Sequence, residues 1–218
     1  MAIQHAVITV TPIQQNCTVL WDSLSKTGIV VDPGGDVDRI LQTVGALGVK
    51  VKGIWLTHGH IDHAGGAAAL RDALGVRIEG PDERDAFLLD ALPQAGRQFG
   101  IVARAVRPDR WLHDGDQLQI GTQAFTVRHC PGHTPGHVVF VAEEARLAVV
   151  GDVLFRGSVG RTDFPYGDGP ALLQAIRDVL MPLPDDTVVL CGHGPATTIG
   201  RERRANRYVK QALEPGEP

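Results

Sequence analysis

Thr57-His58-Gly59-His60-Ile61-Asp62-His63 places three imidazoles and a carboxylate within six residues. Imidazole suits zinc and iron, and a carboxylate suits hard or borderline cations. Val51-Lys52-Gly53-Ile54-Trp55-Leu56 before it reads as a buried strand, and Ala64 to Leu74 after it as a helix. The donors therefore sit where a strand end turns into a helix. His58 and His60 are two residues apart, so in extended backbone they point to the same side. The turn then re-aims Asp62 and His63. Donors on two sides of one turn suit two neighbouring metal ions better than one.

Three further stretches add donors at strand ends, where loops carry function. In His129-Cys130-Pro131-Gly132-His133-Thr134-Pro135-Gly136-His137, His133 lies in a loop bounded by glycine and proline. Gly151-Asp152 ends a strand over 147–150, and Cys191-Gly192-His193-Gly194-Pro195 ends one over 188–190. Glycine on both sides of His193 allows close backbone approach to a metal. His5, His113, His129 and His137 read as ordinary hydrogen-bonded histidines, with His129 and His137 also candidates for orienting a ligand. Cys130 and Cys191 read as small buried hydrophobes.

The remaining elements follow from periodicity. Residues 2–10, 15–22 and 28–32 read as strands, and Val37, Ile40, Leu41, Val44 and Leu47 fall at helical spacing up to Gly48. Short strands are expected over 76–79, 138–141 and 147–150, with strand, turn, strand over 117–129. Helices are expected over 82–99, broken near Pro93, from Asp168-Gly169-Pro170 onward, and over 200–213. Strand-rich halves with interspersed helices fit two facing sheets with helices outside, an α/β class. One domain over 1–213 and a loose tail over 214–218 are expected.

Bulk properties narrow the function classes. The 218 residues are 43% hydrophobic and 21% charged, with formal net charge −4 and no block of like charge. A nucleic-acid binder carries a basic footprint, so none is expected as partner. No basic start followed by an apolar run reads as a signal peptide, and no apolar stretch reaches the roughly 18 residues of a membrane span. Three widely spaced cysteines argue against a disulfide framework and for a reducing cytoplasm.

The order His-x-His-x-Asp-His, Gly-His-Thr, Gly-Asp, Gly-His-Gly resembles the metallo-β-lactamase superfamily. The resemblance implies an αββα sandwich of two mixed β-sheets with helices on both outer faces. It implies His58, His60 and His133 as ligands of one metal, Asp62, His63 and His193 as ligands of a second, and Asp152 as the bridge. Two divalent ions follow, zinc first, with iron or manganese as alternatives. Pro12-Ile13-Gln14-Gln15-Asn16-Cys17, Val31-Asp32-Pro33-Gly34-Gly35, Gly157 to Pro165 and Gly200-Arg201-Glu202-Arg203 look like the short bacterial glyoxalase II (hydroxyacylglutathione hydrolase) enzymes.

That likeness implies hydrolysis of a small thioester, S-D-lactoylglutathione or a similar acyl-glutathione, by a hydroxide bridging the two ions. Asp62 and Asp152 would be the catalytic carboxylates, Asp62 orienting the nucleophile. The longer glyoxalase II enzymes hold glutathione with a C-terminal helical domain that has no counterpart here. Arg161 stands roughly where those enzymes place a basic residue against glutathione, and is the candidate substrate-binding residue.

The persulfide dioxygenases are the main rival. They resemble Gly160-Arg161-Thr162-Asp163-Phe164 too, but hold one Fe(II), here through His58, His133 and Asp152. Asp62, His63 and His193 would then lack a metal. A lactonase or phosphodiesterase would use the same two-metal site. Structural zinc is the weakest reading, because such sites are closed, four-coordinate and cysteine-rich.

Overall fold

Residues 2–213 are described in this computed structural model, and the expected tail 214–218 lies outside them. Strands β1 (Ile3–Val10), β2 (Gln15–Asp22) and β3 (Thr27–Val31) pair antiparallel in sequence order. Helix α1 (Val37–Leu47) carries the chain to β4 (Lys50–Trp55), and α2 (Ile61–Ala64) with α3 (Ala67–Leu74) carries it to β5 (Arg77–Glu79). These crossovers make β3, β4 and β5 parallel, so the first sheet is mixed in the order β1-β2-β3-β4-β5.

Helix α4 (Ala86–Phe99) precedes the second half. There β6 (Gln117–Ile120), β7 (Gln123–His129), β8 (Val138–Ala142) and β9 (Leu147–Gly151) form an antiparallel meander. A hairpin of β10 (Leu154–Phe155) and β11 (Ser158–Val159) follows, then α5 (Gly169–Ala175), extended by a π turn to Leu180. Strand β12 (Val188–Cys191) joins β9 in parallel, and β13 (Thr197–Thr198) closes the edge. Helices α6 (Ile199–Ala205) and α7 (Arg207–Leu213) end the described chain.

Three apolar layers hold the four structural layers together. Ile40, Val44 and Leu70 from α1 and α3, with Leu89 and Leu92 from α4, pack on the first sheet's outer face. Leu172, Ile176, Ile199 and Val209 cover the second sheet's outer face. Between the sheets, Leu20, Val31 and Trp55 meet Phe125, Val138, Phe140 and Val149. The Trp55 ring lies 5.4 Å from Phe125 and 5.1 Å from Phe140, and its Nε1 donates to Glu79 Oε2 at 3.2 Å. Sheets covered on both faces need side chains apolar on both, which is why β8 and β9 are buried at every position. The expected αββα sandwich is the observed fold.

Three expected elements differ. The helix over 82–99 is not broken at Pro93; α4 runs through it. Proline leaves the Leu89 carbonyl without its helical donor, and the Val106 N–H fills that place at 3.3 Å. The helix over 64–74 divides into α2 and α3 around Gly65 and Gly66, which press against Gly34 and Pro33 carbonyls with no room for a Cβ. The helix over 200–213 breaks at buried Asn206. Its Nδ2 donates to Glu202 Oε2 and the Ser158 carbonyl, and its Oδ1 accepts from the Tyr208 N–H.

Two glycines give opposite expectations. A Cβ at Gly28 would run into the Leu20 carbonyl, Val49 and Trp21, whereas Gly45, exposed in α1, has open space around it. Gly28→Ala should lower stability by about 1–3 kcal/mol, and Gly45→Ala should raise it by roughly 0.5–1 kcal/mol. Urea unfolding of both variants reads the two signs directly.

Candidate metal centre

The four donor-bearing loops leave the sheets at one end. Strand β4 runs into Thr57-His58-Gly59-His60, with His60 still extended (φ −67°, ψ 153°), before α2 turns Asp62 and His63 back toward the same point. His133 comes from the loop between β7 and β8. Gly151 takes φ +47° and a bulge shifts the β9–β12 register there, which aims Asp152 inward. His193 follows β12. A side chain at Gly192 would strike the Asp152 carboxylate, and one at Gly160 the Asp152 carbonyl.

All seven predicted donors come together. His58 Nε2 lies 3.1 Å from His60 Nδ1, and His133 Nε2 lies 3.0 Å from the same atom. His193 Nε2 lies 3.2 Å from Asp62 Oδ2, which is 3.8 Å from His63 Nε2. Asp152 stands between the two groups. Its Oδ2 is 3.5 Å from His133 Nε2 and 3.6 Å from His193 Nε2, and its Oδ1 is 3.3 Å from His63 Nε2. Ligands about 2.0–2.1 Å from a tetrahedral zinc sit about 3.3 Å from one another, so these spacings are those of ligand sets.

Hydrogen-bond partners assign the ring tautomers and make the fit stricter. Thr57 Oγ1 donates to Asp32 Oδ2 at 2.6 Å, so at 3.0 Å from His58 Nδ1 it accepts from that ring. His133 Nδ1–H donates to the Arg161 carbonyl at 2.8 Å, and His63 Nδ1–H to Asp32 Oδ2 at 2.8 Å. The opposite nitrogens of these three rings therefore present bare lone pairs to the site. His60 presents Nδ1 instead, with its Nε2 2.8 Å from the Tyr166 hydroxyl. Lone pairs converging at 3 Å repel unless a cation lies among them. His63 Nε2 and Asp152 Oδ1 are buried and neither has a hydrogen-bond partner, the state expected of groups shaped for a metal. The residues present fit two divalent cations.

The electrostatics agree. Burial, and then repulsion from His63 and its neighbours, depresses the His58 pKa well below the usual histidine value. Burial and His133 take His60 down to about 3. Both rings stay neutral, as ligands must. Burial opposes charge on His63, but Asp152 and Asp62 outweigh it and raise its pKa. Burial likewise opposes the Asp152 carboxylate, and His63 and His133 outweigh it, holding the group ionised. A proton on His63 therefore competes with a metal for the same lone pair.

Sequence spacing missed the groups that hold the donors. Asp32, at φ +52°, grips His63, the Thr57 N–H and the Thr57 hydroxyl together. Asp85 accepts from the Gly59 N–H, Thr134 Oγ1 and the Gly136 N–H, pinning the His58–His60 loop to the His133 loop; burial lifts its carboxyl to about 6. Of the histidines read as ordinary, His137 orients the site. Its Nε2 accepts the Asp152 N–H at 3.1 Å and its ring stacks on His58. His129 instead meets the Pro135 carbonyl and Arg84, and His113 pairs with Glu83. Cys130 and Cys191 are buried thiols, Cys191 pushed up to about 12 by burial.

A cleft of about 500 Å³ opens over the donors. His60, Asp62, His133, Asp152 and His193 form its floor, with α4 and the 160–166 loop beside them. Arg161 lies on it, 71% exposed, with two 2.9 Å hydrogen bonds to Asp163.

An αββα sandwich with this donor set defines a metal-dependent hydrolase. The family model "Metallo-beta-lactamase superfamily" matches residues 10–193, and the chain belongs to that superfamily. It is 44% identical over 205 residues to hydroxyacylglutathione hydrolase GloC of Haemophilus influenzae, covering 93% of this chain and 96% of the relative. The crystal structure of BLEG-1 B3 metallo-beta-lactamase matches with TM-score 0.87 at 36% identity, over 94% of this chain and 99% of that one. A di-iron-bound form of TTHA1623 matches with TM-score 0.84 at 36% identity, over 93% and 99%. Among the described residues no helix is long and apolar enough to cross a membrane.

Asp32→Asn keeps a side chain tolerant of positive φ but cannot accept from Thr57 N–H, Thr57 Oγ1 and His63 Nδ1–H at once. Metal affinity, read by competition with a chromogenic chelator, should fall 10–100-fold. Unchanged affinity would show that Asp32 does not hold the donors in place.

Proposed function

We propose that the chain is a binuclear metal-dependent thioester hydrolase acting on S-D-lactoylglutathione or a similar acyl-glutathione. The observation that carries this reading is Asp152 standing within 3.6 Å of both His133 and His193, so one carboxylate serves both donor sets. The 44% relationship to a protein named hydroxyacylglutathione hydrolase supports the substrate class. His58, His60 and His133 are one ligand set, Asp62, His63 and His193 the other. Zinc suits both sets, and iron or manganese fit the same donors.

Two divalent ions held there supply a water of lowered pKa and an electrophile for a carbonyl oxygen. The chain's own residues do the rest. Asp62, on the cleft floor, accepts a hydrogen bond from the attacking water and orients it. Burial opposes its charge, but His63 outweighs burial and keeps it ionised. A C–O bond forms from the water oxygen to the acyl carbon as a water proton passes to solvent, the C–S bond breaks with its electron pair on sulfur, and the thiolate leaves past the Arg161 rim and is protonated there by solvent. Asp152 fixes the separation of the two sets. Arg161, on the rim, meets a carboxylate of the departing thiol half.

A mononuclear iron oxygenase needs only His58, His133 and Asp152, and leaves Asp62, His63 and His193 without work. Their convergence favours hydrolysis. Asp152→Ala and His58→Ala should lose bound metal and lower kcat/KM for S-lactoylglutathione by more than about 100-fold, the loss of several kcal/mol. Full activity in a metal-depleted variant would sink the metal mechanism. Oxygen uptake with glutathione persulfide, without thioester cleavage, would replace this reading by iron-dependent oxidation.

A further inference from the structure

The walls of the cleft do not match its polar floor. Helix α4 contributes Leu88, Ala91, Leu92, Ala95 and Phe99, and Ile13 and Phe155 add to the apolar lining. Of the large hydrophobic side chains left exposed among the described residues, Phe87, Phe99 and Val102 belong to α4 or its C-terminal extension. Of these, Phe99 lines the cleft itself. At the other end, Phe164 packs on the His60 and His133 rings at 5.0 and 5.6 Å and stacks on Tyr166, closing that side against water.

Charge is scarce on these walls. Arg161 is the one lysine or arginine in the lining, and its guanidinium is already bound to Asp163 and laid over Phe164 at 5.0 Å. A glutathionyl group carries two carboxylates and an ammonium; Arg161 partners one carboxylate at the rim, and burying the rest against apolar walls is costly. An apolar acyl chain gains from the same walls.

Taking the thioester reading as its basis, the geometry points to the α4 wall as the acyl-binding subsite, built for an apolar or aromatic acyl group larger than lactoyl. The reacting carbonyl lies on the donor floor, the acyl chain runs along Leu88, Ala91, Leu92 and Ala95, and the thiol half leaves past the Arg161 rim. Lactoyl, with three carbons and a hydroxyl, leaves most of the cleft unfilled. Substrate choice is therefore set by the acyl side, and the thiol is read weakly.

The test is kcat/KM of the metal-loaded enzyme on S-acetyl-, S-lactoyl-, S-butyryl-, S-hexanoyl- and S-phenylacetyl-glutathione. Each added methylene should raise kcat/KM about threefold or more until the cleft is filled. Inhibition by the product acids provides a readout independent of the thiol, with hexanoate and phenylacetate stronger than acetate. Ala91→Phe, an exposed helix position that tolerates the larger side chain, fills the cleft and should cut the hexanoyl-to-acetyl ratio by about tenfold or more. A ratio flat across the series, or unmoved by Ala91→Phe, overturns the subsite while leaving thioester hydrolysis standing. No cleavage of any thioester by the metal-loaded enzyme overturns the thioester reading itself, and this subsite with it.

Discussion

Asp152 faces imidazoles from three different loops, His63 from the first sheet and His133 and His193 from the second, at 3.3–3.6 Å. Much of the architecture exists to hold that carboxylate among them. The bulge at Gly151 aims it, the His137 ring holds its N–H, and Gly160 and Gly192 give it room. The Val138 N–H donates to the Thr57 carbonyl, and Asn16 donates to the Cys191 and Gly194 carbonyls, so the two sheets are tied together beside the site. Seven ionisable or polar rings and carboxylates in a buried cluster are destabilising unless each is paired or bound to a metal. Every outward nitrogen of His58, His60, His63 and His133 has a hydrogen-bond partner, and the two unpaired atoms among the seven donors, His63 Nε2 and Asp152 Oδ1, face each other at 3.3 Å. The repulsion is concentrated where bound cations would remove it.

Much of this was legible in the sequence because burial leaves a strong imprint. Strands covered on both faces read as apolar runs, and β8 and β9 were found for that reason. The candidate donors are legible because they sit within a few residues of glycine at strand ends, a local pattern. What stayed hidden depends on distant partners. Asp32 meets His63 from 31 residues away, Asp85 meets Gly59 from 26, and Tyr166 meets His60 from 106. No spacing rule reaches so far.

The misread elements have the same origin. Proline normally stops a helix through the carbonyl it leaves unbonded, and α4 continues because the Val106 N–H, from outside the helix, takes that bond. The last helix breaks at Asn206 because a buried network of Glu202, Thr197 and Gly157 claims that side chain for the β10–β11 hairpin. Strands β10, β11 and β13 are two residues long and carry no periodicity to read. At Pro93 and Asn206 a tertiary hydrogen bond overrides the local preference.

The proposed hydrolysis requires two cation positions joined by Asp152. Anomalous diffraction from a crystal of the zinc-reconstituted protein, collected at the zinc edge, tests it most directly. Two peaks are expected, one among His58, His60 and His133 and one among Asp62, His63 and His193, with the Asp152 carboxylate reaching both. A single peak held by His58, His133 and Asp152, with the second set empty at saturating zinc, would contradict it.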